Sequence, residues 1–168
     1  IPAGMKVVQL NRTSGGDVPG IICDEVQGFT ELTKLVAQRA HSSVALIIGE
    51  AHHSTSQARA RGFHVGLNDS GLNSNVYGGE FSSSWGYEAT KLALEAGADA
   101  IISASPRLAV GAVQALQEGN VSVPEQAIIA SYSDPEWFSL WHSGMTTLAP
   151  PLEDMGNMAV DRLLSIID

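Results

Sequence analysis

The sequence has one cysteine, few positively charged side chains and no long apolar run, and each shortage argues against a class of protein. Cys23 has no second cysteine with which to form an internal disulfide, which is compatible with a reducing compartment. Lysine and arginine total 9 against 18 aspartate and glutamate, a formal charge of −9, so these residues are unsuited to binding a nucleic-acid backbone. The longest apolar run, 44–48, is far shorter than the roughly 18 residues that span a bilayer.

Apolar segments of strand length alternate with segments of helical period along most of the chain. We predict strands at 7–10, 20–23, 44–48, 76–77, 100–102, 127–130 and 146–148. We predict helices at 25–40 and 56–67, a third that is capped by Ser83-Ser84 and stops at Gly97, a fourth from Pro106 or Arg107 to Glu118, and a last one from 152 to the C-terminal end. This alternation predicts an α/β fold with a doubly wound parallel sheet and right-handed crossovers.

The last predicted helix has an apolar stripe wider than one packing contact needs. Leu152, Met155, Ala159, Leu163 and Ile166 form the stripe, and four further apolar residues widen it, namely Met158, Val160, Leu164 and Ile167. We therefore expect this helix to pack against a second surface, either another segment of the protein or a partner chain.

Polar side chains follow the predicted strands, at the edge where open parallel sheets bind ligands. They are Asn11, Arg12, the run from Glu50 to Thr55, Glu80, Ser103, Ser105, Ser131, Ser133 and Asp134. Hydroxyls and charges with one aromatic side chain are typical of a hydrogen-bonding pocket for a polar small molecule. The alternative is that strand-end loops are polar in any α/β protein.

The sequence carries no motif of catalysis or of cofactor binding. It has no nucleophile elbow, Walker loop or dinucleotide-binding glycine motif, so we predict a protein that is not an enzyme and needs no cofactor. His52 and His53 are adjacent and have no third ligand at a suitable spacing, so we predict no metal site. Trp137, Phe138 and Trp141 are interpreted as core or subunit interface in preference to ligand contacts.

A series of short motifs in a fixed order covers nearly the whole chain. They are Val7 to Arg12, Asp24-Glu25 with Gly28, His41 followed by Val44 to Gly49, Ser56 to Phe63, Gly79-Glu80-Phe81 with Gly86 to Ala89, Arg107 to Ala112, Val123-Pro124-Glu125, Thr146 to Leu148 and Met155-Gly156. In this order they resemble the effector-binding region of the LacI/GalR family of bacterial transcription regulators, which is related to periplasmic sugar-binding proteins.

The resemblance implies a periplasmic-binding-protein-like fold of type I with two lobes. Residues 1–21 would end the N-terminal lobe, 22–144 would form the C-terminal effector-binding lobe, and 145–168 would return to the N-terminal lobe. It implies a cytoplasmic, homodimeric regulator that senses a small-molecule effector and binds operator DNA through a headpiece outside this chain. The alternative is a periplasmic solute-binding receptor for a transporter.

The resemblance also assigns ligand-binding roles. Arg59 matches the arginine that holds effector hydroxyls or carboxylates, Phe81 matches the aromatic residue that stacks on a sugar or base, and Asn11 faces the cleft. The remaining positions depart from the family, which usually has Asn-Asp in place of Ser105-Pro106, Asp-Asp in place of Ser133-Asp134, and often Arg-Gln or Lys-Gln in place of Ala149-Pro150. These departures imply a ligand other than a standard hexose. The implied dimer contact includes Arg107, Val110, Trp137 and Trp141.

Overall fold

The structure, a computed structural model, describes residues 4–14, 16–141 and 144–167 and divides into two compact units. The first unit comprises Ile1–Asp24 and Pro150–Asp168, and the second comprises Glu25–Ala149. The second unit contains the elements α1 (Glu25–Ala37), β3 (Ser43–Ile48), α2 (Ser54–Leu67), β4 (Asn73–Gly78), α3 (Ser83–Glu95), β5 (Ala100–Ser103), α4 (Pro106–Glu118), β6 (Ile128–Tyr132) and β7 (Thr146–Leu148). The first unit contains β1 (Gln9–Leu10), β2 (Gly20–Ile21) and α5 (Leu152–Ile167).

The second unit is built on a five-stranded parallel sheet in the order β4-β3-β5-β6-β7. Every residue of β3 and β5 is buried, as the continuous apolar run 44–48 predicts for a central strand covered on both faces. Neighbouring strand residues point to opposite faces, so Leu46 joins a core with Phe29 and Phe63, whereas Ile47 joins a core with Leu116. The helices α1 and α2 pack together, as do α3 and α4. The predicted doubly wound α/β fold is confirmed.

Several element boundaries differ from the predictions. The edge strand β4 spans six residues, although only 76–77 were apolar enough to be predicted from the sequence. The helix α3 is capped by Ser82, whose hydroxyl accepts a hydrogen bond from the Trp85 amide at 3.1 Å, and not by Ser83 or Ser84. The segment between β6 and β7, for which no helix was predicted, contains a 3-10 helix, Glu136–Leu140.

In the first unit, β1 and β2 form a short parallel pair that contacts α5. Of the described side chains of α5, only Met155 is buried. Of the rest of the wide apolar stripe, Ala159, Leu163 and Ile166 are partly buried. The others are more than half exposed, namely Leu152, Met158, Val160, Leu164 and Ile167. The second surface that we expect to cover this helix is therefore not supplied by the described residues, and its existence stays a prediction.

Candidate functional site

The carboxyl ends of the five strands of the second unit define one edge of the sheet. Because the strands are parallel, the loops 49–53, 79–82, 104–105 and 133–135 all leave the sheet at this edge. Phe81, Ser105, Ser133 and Asp134 belong to these loops. Arg59 reaches the same edge from α2, since its guanidinium contacts the carbonyl of Ala104. The edge therefore brings together five of the six residues predicted to bind a ligand.

Asn11, the sixth predicted residue, lies in the first unit directly after β1. It is exposed and has a positive φ of 65°, a conformation that asparagine tolerates better than most residues. Its amide donates to the carbonyl of Ile21 at 2.8 Å and so continues the pairing of β1 with β2. These features account for an asparagine in this turn, and its contact with a ligand stays a prediction.

Arg59 is almost completely buried and forms a two-pronged ion pair with Glu25 at the start of α1. Its Nε and Nη2 atoms donate to the two carboxylate oxygens of Glu25, each at 2.8 Å, and Nη1 donates to the carbonyl of Ala104 at 2.6 Å. The Tyr132 ring stacks on the guanidinium, with its centroid 3.8 Å from the central carbon. The side chain thereby ties together α1, α2 and the ends of β5 and β6.

This arrangement corrects one part of the sequence-based assignment. Bidentate capture of a ligand carboxylate by Arg59 is not available in this structure, because Glu25 already occupies that side of the guanidinium. Three of the five N–H donors are used, and in the described part of the chain one donor remains on each terminal nitrogen. The charge of Arg59 is thus balanced by Glu25, its side chain is 4% exposed, and its donation to a ligand hydroxyl stays a prediction.

Phe81 is half-buried and lies over Gly49, the first residue after β3. A Cβ atom at Gly49 would overlap the aromatic ring, so only glycine allows the ring to lie this close to the backbone. The His53 ring centroid lies 5.9 Å from that of Phe81, and its Nε2 atom lies 3.6 Å from the Glu50 carboxylate. Phe81 thus offers an apolar ring face beside the polar side chains of His53 and Glu50.

The serines of this edge have local structural roles. The Ser105 hydroxyl accepts a hydrogen bond from the Leu108 amide at 3.3 Å and caps α4. Its hydroxyl proton can still donate to a ligand. Ser133 has a positive φ of 71°, and its amide donates to the carbonyl of Leu148 at 2.8 Å. Asp134 follows it and is exposed. The sequence predicted that Ser105 and Ser133 bind a ligand. Helix capping and turn formation already account for part of the reason why serines stand at these positions.

The residues predicted for a dimer contact fall into two groups. Arg107 and Val110 are exposed on α4 and can contact a partner. Trp137 and Trp141 are half-buried and pack against the core beneath α3 and α4, where Trp137 meets Phe138 edge to face at 4.3 Å. Packing within the chain thus explains much of the aromatic segment.

Within the ranges that the structure describes, no group of three or more histidine, cysteine, aspartate or glutamate side chains is placed to hold a metal ion. None of the helices in these ranges is both long and apolar enough to cross a membrane.

The family described as a periplasmic binding protein-like domain matches residues 33–168. The transcriptional regulator RegA of Clostridium saccharobutylicum and the ribose operon repressor of Escherichia coli K12 are each 24% identical over 163 residues, covering 94% of this chain and 49% and 46% of those proteins. A crystal structure from Corynebacterium glutamicum, described as a transcription regulation repressor of the LacI family, has a TM-score of 0.91 and 37% identity, covering 99% of this chain and 65% of that one. The chain spans about half the length of the curated relatives it matches.

Proposed function

This chain belongs to the periplasmic binding protein-like domain family, and we propose that it is the effector-sensing domain of a LacI-type transcription regulator. The observation that carries the proposal is the convergence of Arg59, Phe81, Ser105, Ser133 and Asp134 at one edge of the parallel sheet. Open α/β sheets bind their ligands at this edge. The relatives that match this chain are transcription regulators, which favours this proposal over a periplasmic receptor that feeds a transporter.

The residues at the edge suggest how an effector is held. The remaining N–H donors of Arg59 and the hydroxyls of Ser105 and Ser133 hydrogen-bond ligand hydroxyls. Asp134 accepts hydrogen bonds, and the exposed part of Phe81 packs against the apolar face of the ligand.

Effector binding shifts the regulator between two conformations that differ in their affinity for operator DNA. The chain itself carries a charge of −9, so the proposal places the DNA contacts on another part of the regulator. No chemical step is assigned to the site, and its role is to bind and release the effector.

Isothermal titration calorimetry of the intact regulator tests the proposal with a panel of pentoses, hexoses and nucleosides, beginning with ribose. We expect one panel member to bind, and Phe81→Ala to weaken that binding by about tenfold because apolar contact area is lost. Val65→Ala, a substitution at an exposed position of α2, serves as the control and should leave the affinity unchanged. Absence of binding by every panel member would contradict the proposed function.

A further inference from the structure

We infer that the ligand of this site is a hydroxyl-bearing molecule without negative charge, and that the site excludes phosphate esters and carboxylates. The inference rests on the proposed function and deepens it by naming the chemical class of the effector. It depends on the charge balance around Arg59 and on the charges in the loops of the same edge.

The positive charge of Arg59 is already balanced inside the protein. Glu25 accepts two hydrogen bonds of 2.8 Å from the guanidinium, and both side chains are about 95% buried. A phosphate or carboxylate that accepted from the two remaining N–H donors would find a guanidinium whose charge is already balanced by Glu25, so it would gain little charge attraction in return for its own desolvation. An uncharged hydroxyl needs only one of the two remaining N–H donors and leaves the ion pair intact.

The loops at this edge add negative charge and no compensating cation. Glu50, Glu80 and Asp134 lie in the loops 49–53, 79–82 and 133–135, and these loops and residues 104–105 contain no lysine or arginine. His53 is placed beside the Glu50 carboxylate. Apart from Arg59, the lysine or arginine nearest to these loops in sequence is Arg107, which is exposed in the first turn of α4. An anionic ligand would therefore be repelled by the negative charge of these loops.

The groups that remain suit an uncharged polyhydroxylated ligand. Arg59 offers two N–H donors, the hydroxyls of Ser105 and Ser133 donate and accept, and Phe81 offers part of an aromatic face. These groups match the alternating hydroxyls and C–H faces of a sugar or similar polyol, and none of them requires the ligand to carry a charge.

Calorimetry with matched ligand pairs tests the inference on the intact regulator. The pairs are ribose and ribose 5-phosphate, glucose and glucose 6-phosphate, and galactose and galacturonate. We expect the anionic member of the binding pair to bind at least about tenfold more weakly than its neutral counterpart. Equal or tighter binding of the anionic member overturns the inference while leaving the proposed function in place. Failure of all six ligands to bind counts against both.

A substitution of Glu25 tests whether the Arg59 pair is the cause. Glu25→Gln removes the balancing charge while keeping the side-chain shape, so we expect the preference for the neutral ligand to shrink by about tenfold. Glu31→Gln, at an exposed position of the same helix, removes the same charge away from Arg59 and should leave the preference unchanged. An equal effect of both substitutions would refute the role of the pair. If circular dichroism shows that Glu25→Gln does not fold, the wild-type ligand pairs decide the question.

Discussion

At the scale of single residues, the contact between Glu25 and Arg59 underlies the proposed preference of the site for an uncharged ligand. The two residues are 34 positions apart in sequence, and they meet because α1 packs against α2. The motif around Arg59 predicts that an arginine reaches the edge of the sheet. Nothing in that motif indicates a buried carboxylate facing it, because the partner is set by the packing of two helices. The position of Arg59 could thus be predicted from sequence, whereas its charge balance could not.

Removing one partner of this ion pair should destabilise the fold. Glu25→Ala leaves the guanidinium buried without its counter-charge, so we expect the free energy of unfolding to fall by about 3–5 kcal/mol. Urea denaturation measures this change. Glu31→Ala removes an exposed carboxylate from the same helix and should change the free energy by less than about 0.5 kcal/mol. Similar losses in both variants would show that the buried pair has no special role.

The close approach of Phe81 to Gly49 gives a second prediction. Gly49→Ala forces the Phe81 ring away from the backbone, and overpacking of this kind should lower the free energy of unfolding by about 1–3 kcal/mol. Gly78→Ala is a matched control in β4, where the nearest heavy atom to the added Cβ is the Ile48 Cγ1 atom at 3.8 Å. Both variants are compared with the wild type by urea denaturation. If Gly78→Ala lowers the free energy of unfolding as much as Gly49→Ala does, the proposed packing of the Phe81 ring is contradicted.

At the scale of elements, burial decides which strands the sequence reveals. The central strands β3 and β5 are buried throughout, and their apolar runs predicted them closely. The strand β4 lies at the sheet edge with five of its six residues exposed, so its polar residues Asn73, Ser74 and Asn75 gave no strand signal. Its pairing with β3 comes from backbone hydrogen bonds, which a side-chain pattern does not record.

Asp99, just before β5, organises the turn that leads into β3. Partial burial raises its pKa, but hydrogen bonds from the amides of Ser43, His41 and Ser42 and from the Ser42 hydroxyl outweigh this effect and hold the pKa below its ordinary value of 3.8. A carboxylate with a lowered pKa in the folded state stabilises the fold above its unfolded pKa. This stabilisation is lost as the pH falls below 3.8 and through the lower folded value.

The loss of stability in acid should therefore be smaller when this carboxylate is removed. Between about pH 5 and about pH 3, Asp99→Asn should lose less free energy of unfolding than the wild type, as measured by urea denaturation at each pH. Asp69→Asn, in the exposed loop after α2, should follow the wild-type dependence. An Asp99→Asn curve parallel to that of the wild type would show that the hydrogen bonds do not stabilise the charged form.

At the scale of the whole molecule, the ordered motifs predicted an effector-binding domain related to periplasmic sugar-binding proteins. The match of residues 33–168 to the periplasmic binding protein-like domain family confirms that part of the prediction. The charge of −9 and the polar strand-end loops predicted a domain that binds a small molecule and does not itself contact DNA. The geometry of the site was less predictable, since the hydroxyl of Ser105 turned out to serve as a helix cap. Cap geometry depends on where each helix begins, and the pattern fixes those positions only to within a residue or two.

The proposed homodimer gives a prediction at this scale. Val110 is 44% exposed on α4, so Val110→Glu should place a charge in the predicted contact and shift the regulator towards monomer in sedimentation velocity experiments. Val65 on α2 is 45% exposed, and Val65→Glu makes the same chemical change outside the predicted contact. If only the Val65 variant dissociates, the dimer uses a different surface.

The most direct test of effector binding at the carboxyl edge of the sheet is hydrogen–deuterium exchange of the intact regulator. Exchange is compared with and without the panel sugar that binds most tightly in calorimetry. Binding at the carboxyl edge of the sheet predicts slower exchange in the loops 49–53, 79–82, 104–105 and 133–135. Protection confined to the outer surfaces of α3 and α4, with these four loops unchanged, would contradict the account.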